Sequence, residues 1–138
     1  MSYQFEDPSS TPSLTGTSWK LVELEGSEPM KPITLSFDLD NFVYGWSGCN
    51  RYRGRHMISG NTYNSGGDFA TTKQICLEPG VSDMENNYLN LMQSNTFFIE
   101  VDSTGDEDEL IFYERALVDL EPIQGDVVAR YVKCNECG

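Results

Sequence analysis

Short runs with a period of two recur along most of the chain. Trp19-Lys20-Leu21-Val22-Glu23-Leu24 reads as a strand closed by Glu25-Gly26-Ser27. Ile33, Leu35 and Phe37 alternate with Thr34, Ser36 and Asp38, which predicts a strand with one face inside and the other wet. Asp38-Leu39-Asp40-Asn41 has the composition of a hairpin turn, and Phe42-Val43-Tyr44-Gly45-Trp46 follows as a third strand with aromatics at 42, 44 and 46 on one face. Strands 33–37 and 42–46 are expected to pair antiparallel. Arg51 to Tyr63, broken by Gly54 and Gly60-Asn61, suggests a further strand or hairpin, and Gly66-Gly67 marks a loop. Phe97–Val101 and Leu110–Tyr113 flank an acidic loop, and Val127–Val132 adds a last strand after Pro122 and Gly125.

One segment has a helical period. Met84, Tyr88, Leu91 and Met92 fall at i, i+4, i+7 and i+8, an apolar stripe over roughly 82–94. Ser82-Asp83-Met84-Glu85 reads as a capping box, with the Ser82 hydroxyl and the Glu85 carboxylate serving each other's backbone amides. Strands joined by short turns, without strand–helix alternation, predict a mainly β fold: an antiparallel meander forming a curled sheet or a small open barrel, with the one main helix packed against it.

Composition limits the partners more than the fold. Nine Lys and Arg against 22 Asp and Glu leave a net charge of −13 in 138 residues, enough for one domain. Phosphate contacts need Lys and Arg to displace counterions, so nucleic acid and anionic membrane surfaces are poor partners. No run approaches the ~20 apolar residues of a membrane span, and residues 1–13 read as a polar flexible tail. The absence of a leader points to the cytoplasm; a mature or engineered chain would instead be periplasmic or secreted.

Three features offer chemistry. The first is Ser47-Gly48-Cys49-Asn50 with Ala70-Thr71-Thr72-Lys73-Gln74-Ile75-Cys76. Gly48 permits a backbone geometry that other residues resist, Asn50 can bond to nearby backbone, and the hydroxyls of Thr71 and Thr72 can satisfy loop amides. Cys49 and Cys76 are either a disulfide, closing a loop of about 27 residues for roughly 3 kcal/mol, or two buried thiols. Nucleophilic catalysis by either cysteine is disfavoured: it needs a base or a cationic neighbour to lower the thiol pKa, His56 is the one histidine, and the nearby arginines cannot act as bases at neutral pH.

The second feature is Arg51, Arg53 and Arg55, which share one face of a strand. Pairing with acids on neighbouring strands is the simpler account, and docking of an acidic partner is the sharper one. The third is Cys134-Asn135-Glu136-Cys137, two ligands where structural zinc takes four; Cys49, Cys76 or His56 would have to complete the set. A terminal tail is the simpler reading, and no cofactor is expected. Asp106-Glu107-Asp108-Glu109 lacks the ligand spacing of a calcium loop and reads as a solvated hairpin tip.

These segments together resemble the META domain, also called the HslJ-like domain. The resemblance covers about residues 14–115 and rests on Gly16-Thr17-Ser18-Trp19-Lys20-Leu21, Ile33–Phe37, Ser47–Gly54, Ala70–Cys76 and the following helix. It implies a compact antiparallel β domain with helical elements, similar in fold to a secretin pilot lipoprotein. It also implies kinship with bacterial heat-shock-linked and envelope proteins, and with a secreted parasite virulence factor. Members are associated with antibiotic tolerance, motility and secretion, and the family carries no established catalytic set. Gly48, Cys49, Asn50, Thr71, Thr72 and Cys76 are then fold-defining. The division expected is a tail (1–13), the domain (14–116) and a C-terminal extension (117–138).

The expected function is a non-enzymatic interaction or stress- and envelope-related accessory module with a protein partner. Carriage of a lipid or other hydrophobic ligand in an internal cavity, and zinc or redox chemistry at the cysteines, are the alternatives.

Overall fold

The computed structural model describes residues 13–135 and 137. In chain order the elements are β1 (Ser18–Leu24), β2 (Thr34–Phe37), β3 (Phe42–Trp46), β4 (Arg51–Ser59), β5 (Thr62–Ser65), β6 (Ala70–Thr71), α1 (Val81–Ser94), β7 (Thr96–Asp102), β8 (Glu109–Val118) and β9 (Glu121–Cys134). The strands run side by side as β3-β2-β1-β9-β8-β7-β5-β4, and pairing of β3 with β4 closes an eight-stranded antiparallel barrel. The predicted antiparallel meander therefore closes completely, which removes the sheet edges an open curl would expose. Short β6 continues the line of β5 along β4, pairing with Tyr52 and Arg53. Among the described residues, no helix is long and apolar enough to cross a membrane.

The alternating residues face as their period demands, with a few local adjustments. In β1, Trp19 and Leu21 point inward; a bulge between Leu21 and Glu23 then turns Leu24 inward out of strict alternation. The barrel interior is occupied by large rings. His56 stacks on Tyr63 at 5.4 Å, Tyr63 meets Phe112 edge-on at 5.1 Å, and Phe112 meets Tyr131 at 5.5 Å. Trp19, Tyr63, Tyr88, Phe112 and Tyr131 are all less than 2% exposed.

Three expectations are corrected. The outer face of β2 is not wet: Thr34 and Ser36 are buried. Thr34 Oγ1 accepts from the Trp46 amide at 3.0 Å, and Ser36 Oγ bonds to Ser18 Oγ at 2.8 Å, so both hydroxyls find partners away from water.

The helix does not begin with a capping box. Gly80, at φ +86°, is the N-cap and supplies no side chain, while Glu85 turns inward. Val81, Glu85, Tyr88, Leu89 and Met92 are the buried positions, so the inward stripe lies beside the one predicted, with Met84 and Leu91 at its flanks.

The segment after residue 116 is no appendage to the barrel. β9 pairs with β1 on one side and β8 on the other, and its Ala129 and Tyr131 are buried in the core. A strand set between two others must be part of the same folding unit, because without it β1 and β8 would each present an unpaired edge.

Candidate functional site

Two neighbouring regions bring the sequence-selected residues together. The first surrounds the turn between β3 and β4. Gly48 holds φ +106°, the left-handed region that disfavours other residues, and this places Asn50 and the buried Ser47 against helix α1. Asn50 is the centre of the cluster. Its backbone N–H donates to Glu85 Oε2 at 2.7 Å and its Nδ2 to Glu85 Oε1 at 2.8 Å. Its Oδ1 accepts from the Thr72 hydroxyl at 2.8 Å and the Gln74 amide at 2.7 Å. Ser47 Oγ donates to Glu85 Oε2 at 2.5 Å. Asn50 thus ties the β3–β4 turn to both the 72–76 segment and the helix.

Glu85 is 5% exposed, and burial alone would raise its pKa. The Ser47 hydroxyl and the side-chain and backbone N–H groups of Asn50 outweigh that effect and hold the carboxyl below its ordinary value. Cys49 and Cys76 are joined as a disulfide beside this carboxylate, their Cα atoms 5.9 Å apart. Cys76 Sγ lies 3.7 Å from Glu85 Oε1.

The second region is the outer face of β3, β4 and β6. Arg51, Arg53 and Arg55 are all exposed and share that face, opposite Trp46, Tyr44 and Phe42 in the β3–β4 register. Their partners are rings and not the acids expected from the simpler reading. The Arg51 guanidinium lies 4.5 Å from the Trp46 ring centroid; those of Arg53 and Arg55 lie 3.7 and 4.5 Å from that of Phe42. Among the described residues, none of the three makes an ion pair; the pairs present are Lys31–Glu78 and Arg130 with Glu23 and Glu109. An open groove of about 550 Å³ runs along this face, lined by Asp38, Tyr44, Arg51, Arg53, Thr71 and Thr72, among others.

A model of the META domain matches residues 12–121. The chain belongs to the META domain family. A solved structure, the NMR structure of a protein from Burkholderia xenovorans, is similar over 99% of this chain and 100% of that chain, with a TM-score of 0.61 and 19% identity. At that identity the likeness concerns the fold. A comparison with curated proteins returned no match. The family match ends where β9 begins, although β9 is a central strand of this META domain's barrel.

The motif residues of the META domain therefore divide. Gly48, Cys49, Asn50, Thr72 and Cys76 converge around Glu85. Thr71 pairs across from Tyr52 and faces the outer groove, which Thr72 also borders. Cys134 and Cys137 are joined to each other at the end of β9, Cα atoms 6.0 Å apart. Among the described residues, no third Cys, His, Asp or Glu groups with them. His56 is buried between Phe37 and Tyr63, where burial lowers its pKa. Residues 103–107 are exposed in the β7–β8 loop.

Two elements of the site escaped the sequence reading. One is Glu85, whose signal was an acid in the middle of an inward helical stripe, at 81, 85, 88, 89 and 92. The other is a chain of buried hydroxyls. Tyr52 donates to the Thr34 carbonyl at 2.6 Å and bonds to Tyr88 at 3.0 Å, and Tyr88 bonds to Tyr131 at 2.9 Å. Burial pushes the Tyr88 phenol up to about 12, so the chain stays neutral and acts as a brace between helix and barrel.

Proposed function

We propose that this META domain is a non-enzymatic docking module that takes an extended acidic segment of a protein partner on its β3–β4–β6 face. One observation carries the reading: three arginines lie over the Trp46 and Phe42 rings without ion-pair partners among the described residues, and two of them, Arg51 and Arg53, line an open groove on a strongly acidic protein. Contact with a ring limits the movement of each guanidinium, and its N–H groups can still donate to carboxylates, which reduces the ordering cost of binding. The rest of the surface repels an acidic partner, so the positive face selects orientation. A stress- or envelope-related accessory role, which the family resemblance implies, is compatible with a module of this kind. The rings filling the barrel weigh against carriage of a lipid inside it.

Fluorescence anisotropy of the full chain with labelled peptides tests the reading. A peptide alternating Glu or Asp with Leu or Tyr is expected to bind, to weaken as salt is raised, and to lose binding to R51E/R53E. Equal binding of a Lys-substituted peptide, or undiminished binding by R51E/R53E, overturns it.

A further inference from the structure

The Cys49–Cys76 bridge has a third neighbour with donor chemistry. Cys49 Sγ, Cys76 Sγ and a Glu85 carboxylate oxygen all lie within 4.8 Å of one another. Two sulfurs and one oxygen bound tetrahedrally to zinc, with bonds of about 2.3 and 2.0 Å, stand about 3.5 Å apart. The 3.7 Å between Cys76 Sγ and Glu85 Oε1 is already close to that spacing.

The oxygen is positioned as a metal-ligating carboxylate usually is. Oε2 takes the Ser47 hydroxyl and the Asn50 amide, Oε1 takes Asn50 Nδ2 with the Cys76 sulfur beside it, and the Cys49 backbone N–H also bonds to the carboxylate. Outer hydrogen bonds of this kind orient a ligand and limit its movement. Access is also present: an open pocket of about 250 Å³ is lined by Gly48, Cys49, Ile75, Cys76, Leu77 and neighbouring residues, and both cysteines are half-buried. A small reductant and a hydrated ion can therefore reach the sulfurs without the barrel opening.

We propose that Cys49, Cys76 and Glu85 form a redox-gated site for a thiophilic divalent cation of the zinc type, closed as a disulfide and metal-binding as a dithiol. A dithiol reductant supplies the two electrons. Its two S–H bonds are exchanged for one S–S bond, while the Cys49–Cys76 S–S bond breaks and its sulfurs take up the two protons. The incoming ion then displaces those protons and forms two metal–thiolate bonds. Glu85 Oε1 is the third ligand and water the fourth, so the site is three-coordinate from protein and open to solvent.

The test uses the full chain carrying C134S and C137S, so that the terminal pair cannot contribute, with Co²⁺ as the probe. After phosphine reduction, one Co²⁺ per chain is expected to produce a near-ultraviolet thiolate-to-cobalt band that Zn²⁺ removes. The oxidised chain should lack the band, C76S should lose it, and E85Q should bind Co²⁺ at least tenfold more weakly. A band of equal strength in the oxidised chain, no band after reduction, or undiminished Co²⁺ affinity in E85Q overturns the proposal. Should E85Q fail to fold by circular dichroism, X-ray absorption of the reduced zinc-loaded chain decides. Two sulfur and two oxygen neighbours are expected, and any other sulfur count overturns the assignment.

Discussion

Asn50 grips Glu85 with two donors, its backbone N–H 2.7 Å from one carboxylate oxygen and its Nδ2 2.8 Å from the other. The contact joins the β3–β4 turn to the helix across 35 residues of sequence. Asn50→Ala removes the Nδ2 donor and also strands the Thr72 hydroxyl and the Gln74 amide, which both use Oδ1. The expected loss is about 2–4 kcal/mol, because a buried carboxylate and two polar groups lose partners together. Urea denaturation measures it; a loss well under 1 kcal/mol would show that water replaces the side chain freely.

Tyr88 links two strands through one hydroxyl, bonding to Tyr52 at 3.0 Å and Tyr131 at 2.9 Å. Tyr88→Phe preserves the ring and removes that bridge. A loss of about 1–2 kcal/mol is expected, since one hydroxyl is deleted and its neighbours keep the Thr34 carbonyl and the Met92 sulfur as partners. Thermal unfolding followed at the aromatic dichroism band would record it, and an unchanged midpoint would reduce the hydroxyl chain to a bystander.

Removing β9 should abolish folding. A chain ending at residue 116 lacks the strand between β1 and β8 and loses Ala129 and Tyr131 from the core. Such a fragment is expected to show no cooperative unfolding transition and no dispersed amide spectrum. A cooperative, well-dispersed 1–116 fragment would restore the extension to the status of an appendage.

His56 makes stability depend on pH near neutrality. Its ring is 8% exposed, stacks on Tyr63 and meets the edge of Phe37; burial lowers its pKa from the ordinary 6.5, against a smaller raising effect from the Asn41 backbone. The unfolded chain therefore takes up a proton at a higher pH than the native one. Stability is full above about 6.5 and falls as the pH drops below it toward the native value. Denaturant midpoints between pH 8 and pH 5 should decline in the parent chain and decline less in His56→Gln. Equal slopes would assign the dependence to the carboxylates.

The strands were legible because their signal is local. Ile33, Leu35 and Phe37 announce an inward face at once, and Arg51, Arg53 and Arg55 must share a side of any strand that contains them. What covers the other side is not local, and so the burial of Thr34 and Ser36 depended on partners at Trp46 and Ser18. Ser82 and Glu85 had the spacing of a capping box, yet a buried cluster at Ser47 and Asn50 competed for the Glu85 carboxylate and won. Three donors in a place shielded from water outweigh one exposed backbone amide.

By itself the sequence determined a mainly β antiparallel domain, one helix and a positive strand on an acidic protein. Each of these follows from periodicity, residue chemistry or short-range geometry. Tertiary structure alone decided that β3 meets β4 to close the barrel, that β9 belongs inside it, that the arginines lie on rings, and that Glu85 stands beside Cys49 and Cys76. The physical reason is the same in every case. These relationships join residues distant in the chain, and the free energy that selects them comes from burial and partner satisfaction that exist only once the chain has closed.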